Sequence, residues 1–346
     1  MEVGYEVAVA LLSISLIILA IVLFMFYKRR GVGEVKEPPL LAFTKASPHT
    51  YSLSDIDAAT DGFSQQRIIG RGRLGTVYAG MFASSSSNSS SGGGGAHDQP
   101  SIVAVKRVHP GLVLSNNSSF NFSSSMKSLS VAAHPNIVPI LGFSEAPGER
   151  IVLMELSGMV NLEFFLHHNT DGVTLLDWDK RLQITAGAAR GIRYLHDEIS
   201  PSIIHGSVKT SNVIIDARFC PKLCDYGLHF LAPNERRGLR GYVDDEFWVK
   251  GASKEGDVYA FGVMLLEILS GRMCEEGLLV RWALPLIREM KVNEVLDPRL
   301  VAPSNLNPLI RFARVALACV GNSRKHRPSI GQVATILNNL EMVPCR

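Results

Sequence analysis

Cysteine is scarce in this chain, and its few cysteines are irregularly spaced. Cys220, Cys224, Cys274, Cys319 and Cys345 form neither a paired framework nor a set with the spacing of zinc ligands. This excludes a disulfide-stabilised secreted fold, and we expect reduced thiols in a cytosolic domain. The net charge is also low, at +3. Because nucleic-acid binding needs a strongly basic surface, we expect no nucleic-acid partner.

Two long stretches each lack one kind of side chain. No Asp or Glu occurs from Ser101 to Phe143, and no Ser or Thr occurs from Asp225 to Glu246. The first absence excludes a carboxylate partner anywhere in that stretch. The second excludes ordering of that segment by phosphoserine or phosphothreonine, because neither acceptor is present.

A long hydrophobic run lies near the N-terminus. Residues 7–27 are apolar apart from two serines, and as a helix of about 1.5 Å per residue they would span a bilayer core of about 30 Å. Glu2 and Glu6 precede the run, and the basic residues 28–30 follow it. This asymmetry predicts an outer N-terminus and a cytosolic remainder. A cleaved signal peptide is the alternative, but it would need a basic start and a small-residue cleavage site.

We therefore expect a single-pass membrane protein of the plasma membrane. Residues 1–6 would lie outside, 7–27 would cross the membrane, and 28–62 would form a juxtamembrane linker with three prolines. A second low-complexity stretch, 83–100, is rich in Ser and Gly. Such a tract buries too little apolar surface to order itself, so we expect a flexible insertion.

Chemistry-bearing motifs follow one another along the rest of the chain. Residues 70–77 read G-R-G-R-L-G-T-V, and three glycines let a backbone approach an anion without side-chain clash. Residues 103–106 read V-A-V-K, and residues 205–212 read H-G-S-V-K-T-S-N. Later motifs are D-Y-G at 225–227, D-E at 245–246, D-V-Y-A-F-G at 257–262 and R-P at 327–328.

In this order, the motifs resemble those of protein kinases: G-x-G-x-x-G-x-V, V-A-I-K, H-R-D-x-K-x-x-N, D-F-G and A-P-E. Segments 51–63 and 176–196 resemble the plant receptor-like kinases, the Pelle-related group, and 276–298 resembles their crinkly-type branch. The resemblance implies an α+β, bilobal kinase fold over 63–342. The small β-rich lobe would cover 63–157, and the larger helical lobe 158–342.

The resemblance also implies a site for ATP and Mg²⁺. Asn212 and Asp225 stand where two Mg²⁺ ligands belong, and Lys209 stands at the lysine of the catalytic loop. Met154 resembles the gatekeeper, so the backbone that follows it would meet adenine. The expected nucleotide-binding residues are Gly70, Gly72, Gly75, Val77, Ala104, Lys106, Met154, Glu155 and Ser157. The expected structural residues are His205 in the packed spine, Asp257 bracing the catalytic loop, and Glu246 paired with Arg327.

Four positions depart from the family pattern. Ser207 replaces the catalytic Asp, and a hydroxyl cannot serve as a carboxylate base near neutral pH. Gly206 replaces the Arg that receives an activation-loop phosphate, and Leu239 replaces the Thr of G-T-x-G-Y. Ser125 falls where a helical Glu normally pairs with the strand lysine, which leaves Asp225 as the expected partner of Lys106.

These departures predict a pseudokinase that retains an ATP site and acts as a scaffold or allosteric partner of other protein kinases or signalling proteins. The alternative is a weakly active Ser/Thr kinase in which Lys209 and Asp225 still position the γ-phosphate. A membrane adaptor with an empty pocket also remains open. The sequence does not determine the oligomeric state, the substrate or the pathway.

Overall fold

The computed structural model describes residues 48–82, 101–115, 121–158, 160–168, 175–232, 239–275 and 277–341. The predicted membrane span 7–27, most of the predicted linker and the predicted insertion 83–100 lie outside these residues. Within the described ranges, no helix is both long enough and apolar enough to cross a bilayer.

A six-stranded sheet forms the N-terminal lobe. Its strands are β1 (His49–Thr50), β2 (Ile68–Arg71), β3 (Gly75–Phe82), β4 (Ser101–Val108), β5 (Ile140–Ala146) and β6 (Glu149–Glu155). Their order across the sheet is β1-β5-β6-β4-β3-β2, and only the β1–β5 pair is parallel. The β-branched residues of β4 suit a central strand. Its register places Lys106 between Val77 on β3 and Val152 on β6.

The folded lobe begins earlier in the chain than expected. Residues 48–62, assigned above to a linker, contain β1 and helix α1 (Leu53–Ala59). Ile56 on α1 is fully buried and packs in a second core with Tyr78, Val105 and Ile151. The linker boundary at 62 is therefore corrected to a point before residue 48. The physical reason is that the outer face of the sheet is apolar and needs this cover.

Three further helical segments belong to this lobe. A 3₁₀ helix covers Gln65–Arg67, and helices α2 and α3 cover Pro110–Ser115 and Phe122–Leu129. The side chain of Asn121 caps α3 by accepting a hydrogen bond from the Ser124 N–H at 2.9 Å. Phe122, Met126 and Leu129 form its buried face.

The C-terminal lobe is mainly helical and carries a small three-stranded sheet. The sheet has the order β7 (Val160–Asn161), β8 (Val213–Ile215), β9 (Pro221–Leu223). The α-helices are α4 (Trp178–Arg193), α5 (Phe247–Lys250), α6 (Lys254–Ser270), α7 (Leu278–Arg288), α8 (Asn307–Cys319) and α9 (Ile330–Asn338). Two π-helical segments cover Phe164–His168 and Tyr194–Glu198, and 3₁₀ turns cover Thr210–Asn212, Leu228–Leu231, Val292–Glu294 and Arg324–His326.

Helix α6 is the central element of this lobe. From residue 257 to 270 every side chain except Tyr259 is buried, as expected for a helix that is apolar on nearly all sides. The Ser253 hydroxyl caps its start by accepting from the Gly256 N–H at 3.0 Å. The helix ends at Gly271, whose φ of 66° suits glycine. Helix α6 thereby places Asp257 against the catalytic loop.

The cysteines differ partly from the expectation. Cys224, Cys274 and Cys319 are free thiols, as predicted, and burial raises the pKa of the Cys319 thiol to about 12. Cys220, in contrast, is disulfide-bonded, so the expectation of reduced thiols was wrong for this residue. Spacing along the chain could not reveal it, because a disulfide needs proximity in space.

Candidate active site

The glycine loop is the turn between β2 and β3. The Gly72 N–H donates to the Gly75 carbonyl at 2.9 Å, which closes a tight turn. A Cβ on Gly75 would lie 2.0 Å from the Arg107 carbonyl oxygen, so the fold itself requires glycine there. A Cβ on Gly72 would meet nothing within 4 Å. Packing therefore does not require glycine at position 72, and the space beside this residue is open.

A buried ion pair lies beneath this loop. Lys106 on β4 donates from its Nζ to Oδ1 of Asp225, just after β9. Burial by itself would raise the pKa of Asp225, but Lys106 and then Lys209 outweigh burial and hold that pKa below its ordinary value. The predicted pairing of Lys106 with Asp225 is confirmed.

Helix α3 supplies no acid to this pair. It runs F-S-S-S-M-K-S-L, and its last buried residue packs on the D-Y-G turn. A Cβ on Gly227 would lie 2.3 Å from Cδ2 of Leu129. Ser125 precedes Leu129 by one helical turn and so shares its face. This placement supports the register that puts Ser125 at the position of the missing Glu.

The catalytic loop holds Ser207 in a buried hydrogen-bonded setting. Nδ2 of Asn212 donates to the Ser207 carbonyl at 2.8 Å and to its Oγ at 3.1 Å. The Ser207 side chain is therefore fixed, with a hydroxyl where the family pattern has a carboxylate. A hydroxyl stays protonated near neutral pH and cannot accept the proton of a substrate alcohol as a carboxylate would.

Asp257 braces this loop from helix α6. Its Oδ2 accepts from the His205 N–H at 2.7 Å and contacts His196 Nε2 at 2.8 Å, and its Oδ1 accepts from the Gly206 N–H at 2.7 Å. Burial would raise the pKa of Asp257, but the hydrogen bond and charge of His196 lower it overall. Burial also lowers the pKa of His205, which favours the neutral imidazole. These hydrogen bonds are of the kind that the resemblance implied for Asp257.

The side chain of another residue occupies the space beside the Cα atom of Gly206. Its φ is +71°, and a Cβ at this residue would lie 2.4 Å from Nδ1 of His229. His229 belongs to the 3₁₀ turn Leu228–Leu231 that follows the D-Y-G motif. The activation segment thus packs directly on the loop where a phosphate-binding Arg would begin. Sequence reasoning missed His229, and no motif marks it.

The end of the activation segment is anchored without a phosphate. Leu239, at the position of the family Thr, is 3% exposed and shares a narrow crevice with Ser207 and Val208. The Tyr242 hydroxyl lies 3.1 Å from Thr210 Oγ1 and donates to Oε2 of Glu267 on α6 at 2.5 Å. An apolar leucine beside Ser207 offers no hydrogen bond to an incoming hydroxyl.

The strand and hinge positions expected at the adenine lie together. Ala104 pairs with Met154 across β4 and β6, and both side chains are buried. In the hinge, the Ser157 hydroxyl donates to Oε1 of Glu155 at 2.7 Å, and Lys222 Nζ donates to the same oxygen at 2.9 Å. Burial would raise the pKa of Glu155, but Lys222 and Ser157 lower it overall.

One expected ion pair is corrected. Arg327 donates from Nη1 to Oδ2 of Asp244 at 2.5 Å, whereas Glu246 pairs with Lys250 one helical turn later. Arg324 also donates twice to Asp244. The chain turns so that the buried Asp244, rather than Glu246, meets both guanidinium groups. Three consecutive acids at 244–246 made the sequence ambiguous on this point.

Lys209 completes the site. Desolvation by burial lowers its pKa, although the charge of Asp225 acts in the opposite direction. A β-sheet lobe with a glycine loop, a helical lobe with the D-Y-G turn, and a lysine–aspartate pair linking the two define the architecture of a protein kinase domain.

Comparisons with known proteins agree. The family model for "Protein tyrosine and serine/threonine kinase" matches residues 63–337, so the chain belongs to the protein kinase family. It resembles plant receptor-like kinases within it. "Serine/threonine-protein kinase-like protein CCR2" of Arabidopsis thaliana is 34% identical over 83% of this chain. "Probable serine/threonine-protein kinase PBL7" of Arabidopsis thaliana is 33% identical over 86% of this chain and 80% of its own length.

A solved structure is also similar. The pseudokinase domain of BIR2, described as an immune regulator of the RLK/Pelle family, matches with a TM-score of 0.68 and 29% identity. The match covers 86% of this chain and 88% of that one. The chain spans only 34% of the length of CCR2, and 24% of the leucine-rich repeat receptor protein kinase EMS1.

Proposed function

We propose that this chain is a membrane-anchored pseudokinase that binds ATP and transfers no phosphoryl group. It acts as a scaffold or allosteric partner of other protein kinases or signalling proteins. The likeness to the BIR2 pseudokinase domain, described as that of an immune regulator, supports a signalling role of this kind.

The observation that carries the proposal is the state of the catalytic loop. Ser207 occupies the base position, and its hydroxyl is hydrogen-bonded to Asn212. Within the described residues, one carboxylate is hydrogen-bonded to the strand lysine and one to this loop. Asp225 pairs with Lys106, and Asp257 accepts from two backbone N–H groups and contacts His196. Neither is available to deprotonate a substrate hydroxyl.

Nucleotide binding is supported by features that the fold alone does not require. Gly72 could carry a side chain without a clash, so its glycine suits a close anion better than it suits packing. Lys106 provides a buried ammonium below the loop. Half-buried Val77, Ile214 and Leu156 pack against the main core and offer apolar surface of the kind that adenine requires.

Membrane attachment is the part of the proposal that comes from the sequence alone. We assign 7–27 as a single transmembrane helix, 1–6 as extracytosolic, and the kinase-like domain through 342 as cytosolic at the plasma membrane. Asn88 and Asn117 begin N-x-S triplets in the proposed cytosolic part. Both should remain unmodified in cells, and a glycan on either would refute this topology.

Two measurements on the purified full chain test the proposal. Millimolar ATP should raise the thermal midpoint of the wild type and have little effect on a Lys106→Ala variant. Release of ADP from ATP should be the same for both proteins. A wild-type midpoint that ATP leaves unchanged would refute nucleotide binding. ADP release by the wild type well above that of Lys106→Ala would refute the pseudokinase assignment.

A feeble Ser/Thr kinase is the second candidate. It is favoured by the presence of Lys209 at the lysine position of the catalytic loop, where the negative charge of Asp225 acts to raise its pKa. Positioning and electrostatics supply much of phosphoryl-transfer catalysis, so these two residues would support slow transfer. A Lys209→Ala variant would then lose the residual activity that the wild type shows.

A further inference from the structure

We infer that Arg73, at the tip of the glycine loop, is the side chain that binds the terminal phosphate of ATP. This assignment rests on the nucleotide binding proposed above and names the residue that distinguishes ATP from ADP. The glycines of the loop explain how its backbone approaches phosphates. They assign no task to the arginine that stands between Gly72 and Gly75.

The side chain of Arg73 reaches from one lobe to the other. Arg73 lies in the turn between β2 and β3, and its Nη1 donates to the carbonyl oxygen of Ala232 at 3.3 Å. Ala232 belongs to the activation segment and is only 4% exposed, and Arg73 itself is half-buried. The guanidinium therefore spans the gap between the glycine loop and the activation segment, beside the place proposed for the phosphates.

The carbonyl that anchors Arg73 adjoins the catalytic loop. The Ala232 N–H donates to the His229 carbonyl at 3.2 Å, and the ring of His229 packs against Gly206, the residue before Ser207. In phosphoryl transfer the terminal phosphate faces the catalytic loop, which positions the incoming hydroxyl. The terminal phosphate, which ADP lacks, is therefore the one that a guanidinium anchored at Ala232 would meet.

A guanidinium can bind this carbonyl and a phosphate together. It has five N–H donors in a planar fork that matches two phosphate oxygens. The hydrogen bond to Ala232 uses a donor on Nη1. Its acceptor is a neutral carbonyl, which leaves the positive charge of Arg73 in place. Partial burial strengthens a charged contact, because less water screens it.

The charges at the site support the same assignment. Burial lowers the pKa of Lys209, and the charges of Arg73 and Lys106 lower it further, although carboxylate charges act in the opposite direction. The three cations come from the glycine loop, strand β4 and the catalytic loop. A phosphate bound among them would relieve their mutual repulsion.

The test compares ATP with ADP. Isothermal titration of the purified full chain measures the Kd of each nucleotide for the wild type and for Arg73→Ala. Excess Mg²⁺ is present throughout, because the hydrogen bonds take only Oδ1 of Asp225 and the amide nitrogen of Asn212 and leave an oxygen of each residue for the ion. The wild type should prefer ATP. Arg73→Ala should raise the Kd for ATP about tenfold or more and leave the Kd for ADP nearly unchanged.

Two further variants separate the charge of Arg73 from its hydrogen bond. Arg73→Lys keeps the charge and should recover part of the preference for ATP. Arg73→Gln keeps an N–H donor for the Ala232 carbonyl but loses the charge, so it should behave like Arg73→Ala. Arg71→Gln is the matched control. Arg71 ends β2 and is exposed, so the loss of the same charge there should leave both Kd values unchanged.

Three outcomes would overturn the inference while the proposed nucleotide binding stands. They are equal Kd values of the wild type for ATP and ADP, equal weakening of both nucleotides by Arg73→Ala, and a wild-type preference for ATP in Arg73→Gln. The second and third would show that Arg73 only shapes the loop. A wild type that binds neither nucleotide would refute the proposed nucleotide binding itself, and the inference with it. Circular dichroism verifies that each variant is folded.

Discussion

A single methyl group at Gly206 tests how far the fold has adapted to the loss of the phosphate-binding Arg. Gly206→Ala places a non-glycine residue at φ +71°, which costs about 1–2 kcal/mol. The new Cβ also lies 2.4 Å from Nδ1, 2.6 Å from Cγ and 2.9 Å from Cβ of His229. Relieving this overlap by moving the packed 3₁₀ turn costs about 1–3 kcal/mol more.

Gly148→Ala is the matched control. Gly148 has φ +75°, and a Cβ there meets nothing within 4 Å, so the control isolates the backbone cost. Urea unfolding followed by the fluorescence of the three tryptophans gives the free energy of unfolding of each protein. Gly206→Ala should be less stable than Gly148→Ala by about 1–3 kcal/mol.

A double-mutant cycle assigns this difference to the histidine. In a His229→Ala background, the extra cost of Gly206→Ala should largely disappear, which gives a coupling energy of about 1–3 kcal/mol. If Gly206→Ala and Gly148→Ala proved equally destabilising, the close packing of His229 over the catalytic loop would be refuted.

Three further outcomes are expected. Ser207→Asp alone should not raise phosphoryl transfer above background, because Lys106 still lacks a carboxylate partner on helix α3. A general base typically contributes about 10²–10⁴-fold to the rate of an enzyme, so measurable transfer by this variant would contradict the reasoning. Asp257→Ala should lower the free energy of unfolding by about 3–5 kcal/mol at pH 7. The folded-state pKa of Asp257 is depressed, so its contribution to the free energy of unfolding is complete above its ordinary pKa of about 3.9 and is lost as pH falls through the folded value. The wild type should therefore lose more stability than the variant on acidification. Parallel curves of stability against pH for the two proteins would contradict this. Ile56→Ala should cost about 2–5 kcal/mol, whereas Ile102→Ala, at a residue 52% exposed, should stay within about 0.5 kcal/mol; equal losses would show that α1 is not part of the core.

Much of the fold was predictable because its motifs combine local and chemical requirements. The glycine loop, the lysine strand and the D-Y-G turn each need particular residues at fixed spacing, and sequence shows both. The pairing of Lys106 with Asp225 was predictable from an absence, since the stretch from 101 to 143 offers no other carboxylate.

The features that sequence did not reveal depend on proximity in space. Asp244 and Glu246 are chemically alike and two residues apart, and only the path of the chain decides which meets Arg327. The docking of Ile56 depends on an apolar outer sheet face whose exposure no local pattern shows. His229 covers Gly206 because the activation segment turns immediately after Gly227, at φ +70°.

The central claim is that a chain with serine at position 207 transfers no phosphate. The most direct measurement follows the label of γ-³²P-ATP into a generic protein substrate and into the purified full chain itself, in Mg²⁺ and in Mn²⁺, beside a Lys106→Ala variant. We expect identical, background-level incorporation for the two proteins. Incorporation by the wild type well above that of Lys106→Ala would contradict the claim and show that another group replaces the missing carboxylate.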